Sequence, residues 1–361
     1  MEEIMKKKMM AVMMVLAMAS VSMMGCGTGA SGDAAASAKT ASTENGSAKE
    51  GDVYKVGIVQ YVDDASLNQI EAAIEEELAA KGAELGVTFD FADYKYNGQA
   101  DSTNLNQIAT DLVAKDVDVI IPIATPAAMI MQNATEDNQI PVVFSAVSDP
   151  VGAGLVESMD APGANITGTS DALDTNAIME LMLAANPDVK TLGLLYDKSQ
   201  DSSIGAIEDA KAFCDEHDIA YVEKTGTNNG EISLAADALV AAGVDAVFTP
   251  TDNTVMTAEL AIYEKFADAK IPHYTGADSF ALNGAFCGYG VNYAELGTAT
   301  ADMVADILVN GAKPETTPVK TLDNGIVTVN TETAEAIGLD YTMFSDMAEA
   351  LVETKTAEEF Q

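Results

Sequence analysis

The stretch that decides the fold is residues 117–129, V-D-V-I-I-P-I-A-T-P-A-A-M. Its apolar run at 117–123 is interrupted only by Asp118 and Pro122, which predicts a strand buried on both faces. The T-P-A sequence at 125–127 predicts the start of a helix, because proline fits the first helical turn without losing a hydrogen bond. A strand that leads into a helix N-terminus forms a small cradle for an anion.

The same pattern recurs later in the chain, which indicates an internal repeat. Residues 244–256 read V-D-A-V-F-T-P-T-D-N-T-V-M, again an apolar run followed by a helix start. Each copy is preceded by a segment of helical periodicity, L-N-Q-I-A-T-D-L-V at 105–113 and I-S-L-A-A-D-A-L-V at 232–240. The core is therefore predicted to consist of two related β/α halves.

Alternation of strands and helices predicts an α/β fold with two Rossmann-like lobes, each a parallel sheet flanked by helices. In the first half the predicted strands are 53–59, 87–94, 117–123 and 142–146, and the predicted helices are 66–82, 101–115 and 126–135. We expect three chain crossings to form a hinge between the lobes. Lobe 1 is predicted to comprise 53–168 and 291–318, and lobe 2 to comprise 169–290 and 319–361.

The N-terminus has the organisation of a secretory signal. A basic M-K-K-K at 5–8 precedes an apolar stretch at 9–24, which is too short for a membrane span of about 20 residues. Residues 1–25 are therefore predicted to be a signal peptide, and M-M-G-C at 23–26 resembles a bacterial lipobox with Cys26 as the lipidated residue. The Gly-, Ala- and Ser-rich segment 26–52 is predicted to be a flexible tether that holds the protein at the outer face of the cell membrane.

Composition excludes several classes of partner. The formal net charge is −39, so the surface repels nucleic acid and we expect no nucleic-acid partner. A hydrophobic content of 48% with 21% charged residues is typical of globular cores and excludes a largely disordered chain.

No motif for catalysis, metal or cofactor binding stands out. Beyond Cys26 only Cys214 and Cys287 remain, and the two histidines, His217 and His273, lack ligand-spaced partners. A G-x-G-x-x-G sequence at 27–32 has no strand before it and no helix after it, so it does not predict a dinucleotide site. We therefore expect a protein without catalytic residues, metal or cofactor.

Ligands of such sheets bind at the carboxyl ends of the strands, here in a cleft between two lobes. The amides of Thr125 and Ala127 and the Thr125 hydroxyl suit a carboxylate at a helix N-terminus. Asp252 occupies the matching position of the second half and suits an ammonium. The alternative is that Thr125 and Asp252 only cap their helices, a common role of threonine and aspartate.

Five motifs resemble the bacterial ABC-transporter substrate-binding lipoproteins of the tryptophan/tyrosine type, which have a type I periplasmic-binding-protein fold. They are I-A-T-P-A-A at 123–128, P-V-V-F-S-A-V-S-D-P-V-G-A-G-L-V at 141–156, N-I-T-G-T-S-D at 165–171, P-T-D-N-T-V at 250–255 and Y-G-V-N-Y-A-E-L-G at 289–297. The resemblance implies an extracytoplasmic monomer that captures a small solute, most simply an amino acid with an aromatic or other apolar side chain. The solute would pass to an ABC permease driven by its ATPase subunits.

The resemblance also completes the predicted ligand set. Its motifs add Ser145 and Asn253. The first β-to-α loop adds Tyr61, Asp63 and Ser66, with a solvated acidic turn as the alternative. The loop after the strand near residue 275 adds Asp278 and Ser279, with a helix N-cap as the alternative.

One loop departs from the resembled family. D-D-A at 63–65 stands where the aromatic amino-acid binders carry Glu-His-Pro, so the ring of that histidine is replaced by carboxylates. Two other functions stay open: a receptor that presents its ligand to a membrane signalling protein, and a sugar or nucleoside binder. The latter classes usually stack rings on the solute, whereas this chain has no Trp and only 6% aromatic residues.

Overall fold

The computed structural model describes residues 49–322 and 325–360. The predicted signal peptide, Cys26 and all but the last residues of the predicted tether lie outside the described residues. Among the helices of the described part, none is both long and apolar enough to cross a membrane.

The first sheet is built around the opening stretch of the sequence. Its central strand β4 is buried at all five positions, as the apolar run predicts. The strands are β1 (Val53–Gln60), β2 (Thr88–Asp90), β3 (Lys95–Asn97), β4 (Val119–Ile123), β5 (Val142–Phe144) and β6 (Ile166–Ser170). The helices of this half are α1 (Ala65–Leu85), α2 (Ser102–Ala114) and α3 (Thr125–Thr135).

The second half repeats this alternation of strands and helices. Its strands are β7 (Thr191–Tyr196), β8 (Ala220–Thr225), β9 (Ala246–Thr249), β10 (His273–Thr275) and β11 (Cys287–Gly290). Its helices are α4 (Thr175–Ala185), α5 (Asp201–Glu216), α6 (Asn229–Ala242), α7 (Asn253–Asp268) and the short α8 (Asp278–Leu282). The remaining elements are α9 (Tyr293–Leu308), β12 (Lys320–Thr321), β13 (Ile326–Asn330), α10 (Thr331–Ile337) and β14 (Ala350–Thr354).

Strand order confirms the two related halves. The first sheet runs β12-β6-β5-β4-β1-β2, with β3 also paired to β1, and the second runs β14-β13-β11-β10-β9-β7-β8. The orders β5-β4-β1-β2 and β10-β9-β7-β8 are therefore equivalent. All pairs are parallel except β11 with β13, which confirms the predicted α/β class of two mostly parallel sheets flanked by helices.

The chain passes three times between the sheets, as predicted. It crosses after β6, returns after β11 so that α9 packs on α1, and crosses again between β12 and β13. Both β6 and β12 belong to the first sheet: β6 runs past the predicted lobe boundary at 168, and β12 lies wholly within the 319–361 range predicted for lobe 2, because it pairs with β6.

The predicted strand at 87–94 is wrong in its extent. Two short strands, β2 and β3, pair with successive parts of β1, and a turn at 92–93 separates them. Tyr94 donates its N–H to the carbonyl oxygen of Phe91, 3.0 Å away, and this hydrogen bond closes the turn. Apolar alternation alone does not reveal such an interruption, because the side chains on both sides of it still pack on the core.

Candidate ligand-binding site

A cavity lies where the carboxyl ends of the two sheets face each other. The cavity has a volume of about 420 Å³, part of it open to solvent. Residues of both lobes line it, so a solute inside it contacts both lobes. The lining residues from the first sheet and its helices are Asp64, Ser66, Leu67, Ala124, Thr125, Ala146, Ser148 and Asp171. The other lobe and α9 contribute Ser202, Thr251, Asp252, Asn253, Met256, Ala277, Ser279, Phe280 and Tyr293.

The turn from β4 into α3 brings a helix N-terminus to the cavity. Ala124 adopts a φ of 81°, which reverses the chain sharply between the strand and the helix. The Thr125 hydroxyl lies in this first turn, is buried and has no hydrogen-bond partner among the described residues. Because the amides of a first helical turn also lack partners within the helix, this end of the cavity suits an anionic group.

Asp171 provides a buried acid at the end of β6. Its side chain is 7% exposed, and Oδ1 accepts a hydrogen bond from the Ser148 hydroxyl at 3.0 Å. Burial raises the pKa of Asp171 to about 6. Within the described residues no basic side chain lines the cavity, so the charge of Asp171 has no protein counterion there.

Asp64 is a second buried acid, and one of its oxygens is free to accept a hydrogen bond. Its Oδ1 caps α1 by accepting the N–H groups of Ser66 and Leu67, at 2.9 and 3.2 Å. Its Oδ2 is buried without a hydrogen bond of good geometry, and so is the nearby hydroxyl of Ser279. Burial raises the pKa of Asp64 to about 7, although proximity to the Ser279 hydroxyl lowers it somewhat.

Asp252 also lines the cavity, but both of its oxygens already accept hydrogen bonds. Oδ1 accepts the N–H groups of Thr254 and Val255, and Oδ2 accepts the Asp197 N–H and the Ser203 hydroxyl, all between 2.7 and 3.0 Å. These bonds make Asp252 the cap of α7, which is the alternative considered in the sequence analysis. An ammonium acceptor is better supplied by Asp171 or Asp64.

Direct hydrogen bonds join the two lobes across the cavity. The Ser66 hydroxyl donates to Asp278 Oδ1 at 2.5 Å, and Gln69 Nε2 donates to Asp278 Oδ2 at 3.1 Å. The hydroxyls of Ser148 and Thr251 lie 2.8 Å apart. The lobes are therefore in contact, and the cleft is in a closed arrangement.

The predicted ligand residues divide into three groups. Five of them line the cavity, namely Ser66, Thr125, Asp252, Asn253 and Ser279. Tyr61 lines an outer hollow of the cleft that Thr125 and Asn253 share, and Asp278 lies behind the cavity, where it bonds Ser66.

The last three predicted residues lie elsewhere. Asp63 is exposed and accepts a hydrogen bond from Asn68. Ala127 is fully buried outside the lining. Ser145 points into the core, where its hydroxyl is hydrogen-bonded to those of Thr169 and Thr300.

Sequence reasoning missed Asp64, Ser148, Asp171 and Thr251 as lining residues. A signal was present, since Ser148 and Asp171 are polar residues beyond the carboxyl ends of the buried strands β5 and β6. Residue type alone does not distinguish Asp63 from Asp64. The structure distinguishes them, because only Asp64 caps α1.

Comparison with known proteins places this geometry in a family. The model of the ABC transporter substrate binding protein family matches residues 55–345. The chain belongs to this family. A tyrosine-binding protein of Clostridioides difficile is 30% identical over 301 residues, which cover 83% of this chain and 85% of that protein.

Solved structures of this family of proteins share the type I periplasmic-binding fold. An ABC domain from Streptococcus pneumonia in complex with L-Trp is 31% identical with a TM-score of 0.76, over 83% of this chain and 99% of that one. The ligand-free, open structure of an adhesive substrate-binding protein from Clostridium difficile is also 31% identical, but its TM-score is 0.64, over 84% and 100% of the two chains. The greater likeness to the liganded protein agrees with the hydrogen bonds that close the cleft.

Proposed function

We propose that this protein captures a zwitterionic α-amino acid between its two lobes and delivers it to an ABC permease. The observation that carries the proposal is the pairing, in one interlobe cavity, of an uncompensated buried acid with a free helix N-terminus. These two features are complementary to the ammonium and the carboxylate of one small molecule.

The carboxylate is assigned to the first turn of α3. There Thr125 lines the cavity with a buried hydroxyl that has no partner, and the amides of a first helical turn have no partners within the helix. The partial positive charge of the helix terminus stabilises an anion by about 0.3–1 kcal/mol, and by more where it is partly buried.

The ammonium is assigned to Asp171. This carboxyl accepts a hydrogen bond from the Ser148 hydroxyl, which lies 2.8 Å from the hydroxyl of Thr251, so polar groups of both lobes meet near Asp171. An ammonium would act as the counterion that the protein does not supply, and so lower the pKa that burial has raised.

The relatives support an amino acid as the solute. One is named a tyrosine-binding protein and another was solved with L-Trp. The lining favours this class over sugars and nucleosides, because the described residues contribute only the rings of Phe280 and Tyr293 for stacking, and because a buried acid and a helix N-terminus together suit a zwitterion. Transport, not catalysis, is the role of the family, so we propose no reaction.

The N-terminal sequence bears on the cellular setting. We propose that residues 1–25 direct export, that Cys26 carries a lipid and that the protein works as a monomer at the outer face of the membrane. Loss of membrane retention on Cys26→Ala would support the anchor, and unchanged retention would contradict it. A gene neighbourhood with a sensor kinase but no permease or ATPase would favour the signalling alternative.

A thermal-melting screen tests the proposed class of solute. The twenty amino acids, sugars and nucleosides are each added to the purified mature protein. A ligand at about 100 times its dissociation constant stabilises the folded state by about 2.7 kcal/mol, so a true solute clearly raises the melting temperature. Stabilisation by a sugar or nucleoside with none by any amino acid would refute the proposal.

The contacts made by Asp278 are expected to hold the closed form. Asp278→Ala removes both the Ser66 and the Gln69 hydrogen bonds between the lobes. Since each of the two bonds contributes about 0.5–1.5 kcal/mol, we expect the solute to bind about 5- to 150-fold more weakly, through faster release. Stopped-flow dissociation measures this, with Asp63→Ala, an exposed acid of the first β-to-α loop, as the control. Equal release rates for the two variants would show that the contacts do not matter.

A further inference from the structure

The pair formed by Asp64 and Ser279 is not needed for the zwitterionic part of the solute. Both side chains are almost completely buried, 2% and 1% exposed, and each presents one oxygen without a good hydrogen bond. Such groups destabilise the folded state when nothing satisfies them. They therefore indicate that a polar atom of the solute binds between them.

The surroundings of this pair differ from those of Asp171. Leu67 follows the Asp64 cap on α1, and Ala277 and Phe280 flank Ser279 on the opposite lobe; all three line the cavity. Apolar lining residues of both lobes therefore lie close in the chain to Asp64 and Ser279, whereas the Asp171 carboxyl accepts a hydrogen bond from the Ser148 hydroxyl. The pair thus suits the end of an apolar side chain of the solute.

The free atoms of Asp64 and Ser279 indicate which chemical group ends the side chain of the solute. Asp64 Oδ1 is committed to the helix cap, so Oδ2 is the free acceptor. Both oxygens of the neighbouring Asp278 already accept hydrogen bonds, from Ser66 and Gln69, so Asp278 is not the free acceptor. The Ser279 hydroxyl can donate to, or accept from, the same solute atom, as a phenol or hydroxyl oxygen requires.

We propose that Asp64 and Ser279 form a side-chain subsite that selects amino acids with an apolar side chain ending in a hydrogen-bond donor. This inference rests on the proposed function. Asp64 belongs to the D-D-A stretch at 63–65 where the sequence departs from the resembled family, so its part in the selection would be a property of this chain.

L-tyrosine and L-phenylalanine test the subsite, because they differ only by the donor. Calorimetric titration of the mature protein at about pH 8 is expected to give a dissociation constant about 10- to 100-fold lower for tyrosine, corresponding to one buried acceptor left unpaired by phenylalanine. Equal affinities would overturn the subsite while leaving the proposed function intact. Binding of neither, nor of any other amino acid, would overturn both.

Asp64→Asn tests the free acceptor oxygen of Asp64 separately from the oxygen that caps α1. Asparagine keeps the helix cap but replaces the free carboxylate oxygen by an NH₂ group. We expect the affinity for tyrosine to fall until the two ligands differ by less than about threefold, with the affinity for phenylalanine nearly unchanged. Ser279→Ala should reduce the same preference, and Asp63→Asn, the exposed neighbour, should leave it intact. An equal loss for both ligands in Asp64→Asn would mean that Asp64 holds the ammonium, and would refute the assignment.

Discussion

Asp171→Asn is expected to weaken amino-acid binding at least about 30-fold, the largest effect of any single substitution in the cavity. The side chain keeps its shape and can still accept from Ser148, but it no longer carries the charge that faces the ammonium. Truncating one partner of a buried charge pair costs about 2–5 kcal/mol, which sets this scale. Calorimetric titration of the mature protein with the best ligand of the thermal screen measures it.

Two controls separate this effect from misfolding. Asp160→Asn removes an exposed acid outside the cavity and should bind as the wild type does. Asp171→Asn itself should be more stable without ligand at about pH 8, because it removes an uncompensated buried charge. Wild-type affinity in a folded Asp171→Asn protein would remove Asp171 from the site.

The ligand-free protein is expected to become more stable as the pH falls from about 8 to 5. Burial raises the pKa values of Asp64, Asp171 and Asp252 to about 7, 6 and 6, above the usual aspartate value of 3.8. A raised pKa contributes stability that is complete below the unfolded value and is lost as the pH rises through the folded value. A tenfold change in the acid dissociation constant of one group corresponds to about 1.4 kcal/mol, so a gain of at least about 2 kcal/mol is expected between these pH values.

Thermal melting across this pH range measures the gain. The double variant Asp64→Asn, Asp171→Asn lacks two of the three groups and should show a flatter profile, with a higher melting temperature than the wild type at about pH 8. A bound amino acid should also flatten the profile, because its ammonium compensates one of the acids. A melting temperature that falls steadily on acidification in both proteins would contradict the role assigned to the buried carboxyls.

The fold was predictable from sequence because it rests on a repeated pattern. The run at 117–123 and its copy at 244–248 become β4 and β9, and each is central in its sheet because buried strands are apolar on both faces. The helix start at 125–127 was predictable because proline is favoured in the first turn of a helix. The split of the 87–94 segment was not predictable, because it depends on pairing with β1.

The site was less predictable, since residue type does not determine which oxygen is free. Asp252 and Asp64 are both helix caps, yet Asp197 and Ser203 occupy the second oxygen of Asp252 whereas that of Asp64 stays without a good partner. Ser145 and Ser148 lie three positions apart in one motif, and the local chain direction alone sends one to the core and the other to the cavity.

The central claim is that the cavity binds both charged groups of one amino acid, and analogues that lack one of the groups test it most directly. Calorimetric titration compares L-tyrosine with tyramine, which has no carboxylate, and with 3-(4-hydroxyphenyl)propionate, which has no ammonium. We expect L-tyrosine to bind and each analogue to bind at least about 30-fold more weakly. Tyramine leaves Thr125 and the N-terminus of α3 without an anion, and the propionate leaves Asp171 without an ammonium. An analogue that binds as tightly as the amino acid would contradict the account.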